Sequence, residues 1–440
     1  MLVLIYKNNL DHLLMTIFDK RVLFPIFLIL CILAIPVSVN GQDSIRLFTS
    51  TPSDSVVTRY LKENKINISG NNKVVLLKSG REKFEDLFEH IEKAQHFIHL
   101  EYFNFRNDSI SRELFVLLGK KARQGVKIRA MFDAFGNLSN NKPLRAKHIK
   151  LLLQHDIEIV QFDPMRFPYI NHALSRDHQK IVVIDGKVGY TGGMNIANYY
   201  INGLPEIGAW RDMHVRIEGD AVNDLQRIFL YMWNSETKQN IGGDEFFPLS
   251  QPGVKTNGNK QLAIVNRIPK KRPKLLRHTY IEAINAAKRK IQLINPYFTP
   301  THSVVKALED ALARGVRVEI MIPGKSDIPF TPDAAFYAAN QLRKKGAFIY
   351  IYNGGFHHSK IMMIDERFCT VGSMNLNSRS LRYDYEVNAF IFDMETTAEL
   401  VEMFNEDKKN STILTKDVYR DKPLRKRIKG WVARLFTPFI

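Results

Sequence analysis

Two stretches of this chain carry the same chemically capable residues in the same order. "HQKIVVIDGKVGYTGGMN" (178 to 195) returns as "HSKIMMIDERFCTVGSMN" (358 to 375), displaced by 180 residues. Both read His-x-Lys, four residues, Asp, six residues, Gly-Gly or Gly-Ser, one residue, Asn. On a strand, side chains i and i+2 share a face, so His178 and Lys180 point the same way, as do His358 and Lys360. A single His-x-Lys on a strand is ordinarily a solvated face. Its duplicate, with Asp, Gly and Asn all in register, turns the pair into a candidate site.

Two imidazoles, two ammonium groups and two amides suit phosphoryl transfer. Lys180, Lys360, Asn195 and Asn375 can bind non-bridging phosphate oxygens, while one histidine attacks phosphorus and the other protonates the departing alkoxide. An attacking histidine needs one neutral nitrogen, which a carboxylate holding the other N–H supplies. One candidate stands downstream of each motif: Asp212 in "WRDMHVRIEG", 34 residues after His178, and Glu386 in "YDYEVNAFIFD", 28 after His358. Read along the chain, each carboxylate is expected to serve the histidine of its own motif.

The elements that must position these groups also repeat. "HIEKAQHFIHLEYF" (90 to 103) matches "AINAAKRKIQLINPYF" (283 to 298), and "ARQGVKIRAMFD" (122 to 133) matches "LARGVRVEIMIP" (312 to 323), with turns at Gly125 and Gly315. "HDIEIVQF" and "KGAFIYIY" follow as strands. Each half therefore reads strand, helix, strand, helix, strand, motif: an α/β plan around a mixed sheet. Within the motif, the continuous apolar runs Ile181 to Ile184 and Ile361 to Ile364 predict strands buried on both faces. The first lobe is expected over 71–240, a Gly- and Pro-bearing linker over 241–260 and the second lobe over 261–415. The two lobes would be related by a pseudo-twofold axis, with the site in the cleft between them. The Tyr-Phe pairs at 102–103 and 297–298 are expected as core and cleft-wall aromatics.

Composition narrows the partners. Against 45 Asp and Glu stand 63 Lys and Arg, a net +18 that favours polyanions such as nucleic acid, anionic headgroups or phosphorylated substrates. There are two cysteines, Cys31 and Cys369, which leaves no disulfide framework and no cysteine-based metal site. An apolar stretch, Val22 to Val37, marks residues 1–41 as a signal peptide or membrane anchor, with 42–70 as a connecting segment. Near the other end, 416–440 reads as a basic amphipathic tail with Leu424, Ile428, Trp431, Leu435 and Phe436 on one stripe. Such a tail either anchors to anionic lipid, at about 1 kcal/mol per basic residue, or packs on its own lobe. "PGKS" (323 to 326) lacks the first glycine of a nucleotide-binding loop, Glu319 standing in its place.

The duplicated HxKx4Dx6G(G/S)xN pattern resembles the phospholipase D superfamily. The flanks "LINPYFTPT", "WRDMHVRIEGDAV" and "GSMNLNSRSLRYDYEVNAFIFD" are similar to those of bacterial cardiolipin synthases, over a span from about Asn71 to the C-terminus. The resemblance implies two similar phospholipase D-like lobes and a phosphohistidine mechanism without metal or cofactor. It groups Asp185 and Asp365 with the catalytic His178, Lys180, His358 and Lys360, although both aspartates fall beyond the buried strand, where a turn or lobe-interface role is expected. His178 is assigned as nucleophile and His358 as general acid, with the reverse assignment also allowed by the pseudo-symmetry. The implied substrate is phosphatidylglycerol at a bacterial membrane, one molecule donating its phosphatidyl group to another with release of glycerol. Nucleic acid is not the expected partner. Rival readings are hydrolysis by a phospholipase D or nuclease, and a silent membrane scaffold, against which both intact motifs argue. Three departures from the family stand out: at most one apolar N-terminal segment where two spanning helices are common, Gln179 in the first motif at a place frequently basic, and "RSLRYDYE" after the second motif.

Overall fold

The computed structural model describes residues 52–164, 174–250, 256, 258–328 and 331–436. The N-terminal apolar stretch, Cys31, residues 437–440 and the side chains of Leu435 and Phe436 lie outside the described residues. Among those described, no helix is long and apolar enough to cross a membrane.

The strands of the first half are β1 (Ser69–Leu77), β2 (Phe97–Tyr102), β3 (Lys127–Asp133), β4 (Ile157–Phe162), β5 (Ile181–Ile184), β6 (Val188–Gly192), β7 (Trp210–Arg211) and β8 (His214–Glu218). The second half supplies β9 (Lys260–Arg267), β10 (Lys290–Ile294), β11 (Arg317–Pro323), β12 (Phe348–Tyr352), β13 (Phe356–His357), β14 (Ile361–Ile364), β15 (Phe368–Gly372), β16 (Glu386–Phe392) and β17 (Ser411–Ile413). All but β7 and β13 join one sheet in the order β17-β12-β11-β10-β14-β15-β16-β9-β1-β8-β6-β5-β2-β3-β4. The order reads the same outward in both directions from the β1–β9 junction, with β17 as an extra edge. That mirrored order is the pseudo-twofold arrangement the repeat predicts.

In each half the three outer strands are parallel and alternate with helices, while the motif hairpin and its neighbours are antiparallel. Gly125 and Gly315 end the intervening helices at φ of 91° and 83°, a conformation that favours glycine. The apolar runs β5 and β14 are buried throughout, as strands covered on both faces must be. Each half has its own apolar core. A third core is shared: Ile181, Val183 and Val215 of one half and Ile361, Met363 and Val371 of the other belong to it, together with Leu225, Phe229 and Trp233 of the helix Ala221–Thr237. Cys369 is buried in the same cluster.

One segment packs differently from its place in the chain. Within 42–70, expected to be a connection, residues Ser53–Glu63 form a helix whose Val57 and Leu61 enter the core of the second half. Asp54 also accepts two hydrogen bonds from Arg367, at 2.7 and 3.0 Å. Leu61 is fully buried, so Leu61→Ala is expected to lower stability by about 2–5 kcal/mol. Urea denaturation measures this; a segment that merely connects would show about 0.5 kcal/mol or less.

Candidate active site

Both histidines follow short strand pairings that cross between the halves. In the β7–β13 pair, Phe356 N–H donates to the Ala209 carbonyl (2.9 Å) and His358 N–H to the Arg211 carbonyl (2.6 Å). The counterpart is a bridge between Asp177 and Tyr385, where Tyr385 N–H donates to Arg176 and His178 N–H to Tyr385 (2.9 and 3.0 Å). The segment leading into each motif therefore lies against the segment that ends in the other half's carboxylate. Polar contacts fix both crossings: Arg176, held by Asp133 (2.9 Å), donates its backbone N–H to Asp384 (3.1 Å), and Asp407 pairs with Arg211 (2.9 Å) and hydrogen-bonds His357 Nε2 (3.0 Å). His357 is thus part of the clamp.

The consequence corrects the expected pairing. His178 Nδ1 faces Glu386, 3.0 and 3.2 Å from its two carboxylate oxygens, and His358 Nδ1 faces Asp212 Oδ2 at 2.6 Å. Each carboxylate serves the histidine of the other half, because the crossing strands, not chain spacing, decide which groups meet.

The two dyads also differ in shape. Asp212 is one methylene shorter than Glu386, and its Oδ1 curls back to accept the Met213 N–H at 2.7 Å. A Cβ on Gly193 would lie 2.2 Å from that oxygen. At the equivalent place the longer Glu386 leaves room for Ser373, whose hydroxyl donates to Glu386 Oε2. Gly-Gly and Gly-Ser are therefore matched to their carboxylates. Gly193→Ser is expected to displace Asp212 and reduce turnover about a hundredfold or more, since misplacement of about 1 Å has that cost. Ser373→Gly, which removes a hydrogen bond and adds no clash, should reduce it by less. Steady-state kinetics of the two variants tests the match, and a milder loss in Gly193→Ser would refute it.

Lys180 and Lys360 each curl their ammonium onto the backbone carbonyl of their own histidine, at 2.6 and 2.5 Å. Lys360 Nζ is also 3.0 Å from His358 Nε2. Burial pushes the two lysines down, to about 7 and about 8. Burial also holds His178 well below the usual imidazole range, with Lys180, Lys360 and His358 adding repulsion. His358 is lowered by burial and Lys360, against the opposing pull of Asp212. Burial raises Glu386 to about 7, with Lys180 pulling the other way. The amide oxygens Oδ1 of Asn195 and Asn375 are buried without a hydrogen-bond partner. The walls are aromatic: Phe103 packs edge-on to His178 (5.2 Å between ring centres), and Tyr297 and Trp210 lie 5.8 and 5.4 Å from His358.

Asp185 and Asp365 are not with them. Each sits in the hairpin turn beyond its buried strand, roughly 15 Å of extended chain from the motif lysine. Their backbones are left-handed, at φ of 51° and 53°. Asp185 accepts the N–H groups of Gln95, His96 and Phe97, and Asp365 those of Lys288, Arg289 and Lys290, at 2.7 to 3.2 Å. Grouping them with the catalytic residues is corrected accordingly: they pin the starts of β2 and β10 to the turn, and these contacts stay within each half rather than joining the lobes.

Lys83 was not singled out from the sequence. It is fully buried, 3.5 Å from the Asn195 carbonyl and 4.0 Å from the centre of the Phe84 ring. Burial drives it well below the ordinary lysine range, although Asp212 draws it upward. A signal existed: Gly80, Lys83, Phe84, Leu87 and Ile91 form the buried stripe of the helix Gly80–Lys93, so Lys83 occupies a core position. His214 is buried, its Nδ1 3.4 Å from the Met194 nitrogen, which donates to it. Among the described residues no group of three or more His, Cys, Asp and Glu converges as metal ligands would.

A two-lobed α/β molecule with paired imidazole–carboxylate dyads has the architecture of the phospholipase D fold. A phosphatidylserine synthase of Haemophilus influenzae, a solved structure, aligns over 88% of this chain and all of its own, with a TM-score of 0.66 at 14% identity. In sequence, residues 87–233 and 280–408 match the family model described as "Cardiolipin synthase, PLD-like domain". Cardiolipin synthase 1 of Staphylococcus epidermidis is 36% identical over 388 residues, 88% of this chain and 78% of that protein. The major cardiolipin synthase of Bacillus subtilis is 36% identical over 386 residues, covering 88% and 79%. The chain belongs to the cardiolipin synthase, phospholipase D-like family.

Proposed function

We propose that the protein is a phosphatidyltransferase of the cardiolipin synthase type, joining two phosphatidylglycerol molecules through a phosphohistidine. The observation that supports this reading best is the pair of crossed dyads, two imidazoles each with a carboxylate at Nδ1 and two buried ammonium groups between them.

His178 Nε2 attacks the phosphorus of the first phosphatidylglycerol. The phosphorus–glycerol oxygen bond breaks, and His358 delivers a proton to the departing alkoxide as glycerol leaves. His358, now neutral, takes the proton from the free primary hydroxyl of a second phosphatidylglycerol. That oxygen attacks phosphorus, the phosphorus–nitrogen bond breaks, and cardiolipin and free His178 result. Lys180 and Lys360 exchange their backbone carbonyl acceptors for the non-bridging oxygens, whose charge grows in both transition states. Asn195 and Asn375 line the same phosphate site. Burial depresses both imidazoles; His178, well below the usual range, suits the nucleophile, which must be neutral, while the pull of Asp212 back upward on His358 suits the acid.

The named relatives, cardiolipin synthases, favour a lipid alcohol over water as acceptor, and a phospholipid substrate puts the reaction at a bacterial membrane. Incubating the purified full chain with phosphatidylglycerol labelled in both glycerol and acyl groups distinguishes the outcomes. Cardiolipin with free glycerol in equal amounts supports transfer; phosphatidic acid as the sole lipid product would make the enzyme a hydrolase.

A further inference from the structure

The C-terminal helix Leu424–Phe436 runs beside the helix Thr331–Lys344. Gly430 is the point of closest approach, where an added Cβ would fall 2.4 Å from the Asp333 carbonyl oxygen. Lys429 Nζ lies 3.6 Å from Asp333, and the Lys422 ammonium sits 3.0 Å from the centre of the Phe336 ring. These contacts fix which side of the helix faces the body.

The apolar stripe is on the other side. At 100° per residue, Leu424, Ile428 and Trp431 fall within about 60° of one another, and Gly430 lies about 130° round from their midpoint. Leu424 is 62% exposed, Ile428 51%, Trp431 52% and Val432 37%. A helix at the surface of a globular protein ordinarily buries its apolar stripe; here the stripe faces outward. On the same helix exposed Arg425 lies about 90° round from the stripe's midpoint, on its flank, while Lys429 and Lys426 lie about 130° and 170° round, toward the body. The underlying helix begins at the rim of the active site. Asp327, four residues before Thr331, accepts the Tyr297 hydroxyl at 2.6 Å and acts electrostatically on His358 and Lys360. Next to it, Ile328 is 44% exposed.

We propose that this outward face docks the mouth of the cleft onto the surface of an anionic phospholipid bilayer, the apolar stripe entering the headgroup boundary and Arg425 on its flank meeting lipid phosphate. The choice of a lipid surface rests on the reading of the substrate as a phospholipid. Charge complementarity commits the face to anionic lipid rather than to a second, equally basic copy of the chain.

Trp431 makes the test direct. The chain has three tryptophans, and Trp210 and Trp233 are buried, so emission from a solvated indole reports Trp431. The full chain is mixed with vesicles of phosphatidylglycerol or of phosphatidylcholine, each with and without lipids brominated high on the acyl chains. Expected are a blue shift and quenching with phosphatidylglycerol, absent in Trp431→Phe and with binding reduced about fivefold in Arg425→Gln. Equal quenching in phosphatidylcholine would overturn the anionic-surface proposal, as would a blue shift produced by raising protein concentration without lipid, which signals self-association. The readout contains no catalytic step. Cardiolipin formed without quenching overturns the docking face and leaves transfer standing; quenching without cardiolipin does the reverse.

Discussion

His358→Ala is expected to stall after its first chemical step when the departing group needs no proton. Offered a phosphatidyl ester of p-nitrophenol, this variant should release nitrophenolate in a single burst and accumulate phosphoenzyme on His178, because no base remains to activate the second alcohol. With phosphatidylglycerol, whose alkoxide must be protonated, it should lose about 10² to 10⁴-fold in turnover. His178→Ala should form no phosphoenzyme with either substrate and lose about 10⁴-fold or more, as removal of a covalent nucleophile does. Acid-labile, base-stable phosphate in the trapped protein identifies the bond as phosphorus to nitrogen. A burst in His178→Ala and none in His358→Ala would reverse the two roles.

Asp212→Asn should reproduce the His358 defect, not the His178 defect. The structure places Asp212 on His358 Nδ1 and Glu386 on His178 Nδ1, so the asparagine variant should still burst with the nitrophenyl ester yet transfer about 10² to 10⁴-fold more slowly. Glu386→Gln should slow the burst itself, whatever the leaving group. The two members of one dyad act as a unit, so His358→Ala/Asp212→Asn should be little worse than either change alone. If pairing ran within each half, Asp212→Asn would abolish the burst and Glu386→Gln would spare it. Burst amplitude in the four single variants therefore reads out the crossing without a new structure.

The motif was legible because it occurs twice: the in-register repeat of His, Lys, Asp, Gly and Asn carried both the fold and the site. Its crossing was not. Spacings of 34 and 28 residues measure distance along the chain, whereas the partners are chosen by the pairing of Trp210–Arg211 with Phe356–His357 and of Asp177 with Tyr385. Pairings this short leave no periodic pattern to read. Asp185 and Asp365 misled for the opposite reason. The family resemblance grouped them with the catalytic residues, but their fixed spacing from the motif histidine records the length of one buried strand and the turn that pins it. The helix Ser53–Glu63 lies before the repeat begins, so no internal copy marked it as part of the second half's core. For the C-terminal tail, composition gave an amphipathic helix; only the contact at Gly430 tells which face is turned outward.

The matched sets Gly193–Asp212 and Ser373–Glu386 bear on how such a molecule could diversify. Since each histidine borrows its carboxylate from the other half, either half alone would hold only disconnected parts of a site, and a working ancestor of one copy would need to be a symmetric homodimer. In such a dimer a single gene dictates both dyads, so nucleophile and acid must share one carboxylate length and one neighbouring residue. Joining the copies in one chain lifts that restriction. A short carboxylate at 2.6 Å can then serve one imidazole and a hydroxyl-tethered longer one the other, giving two chemically distinct jobs to positions that began as the same codon.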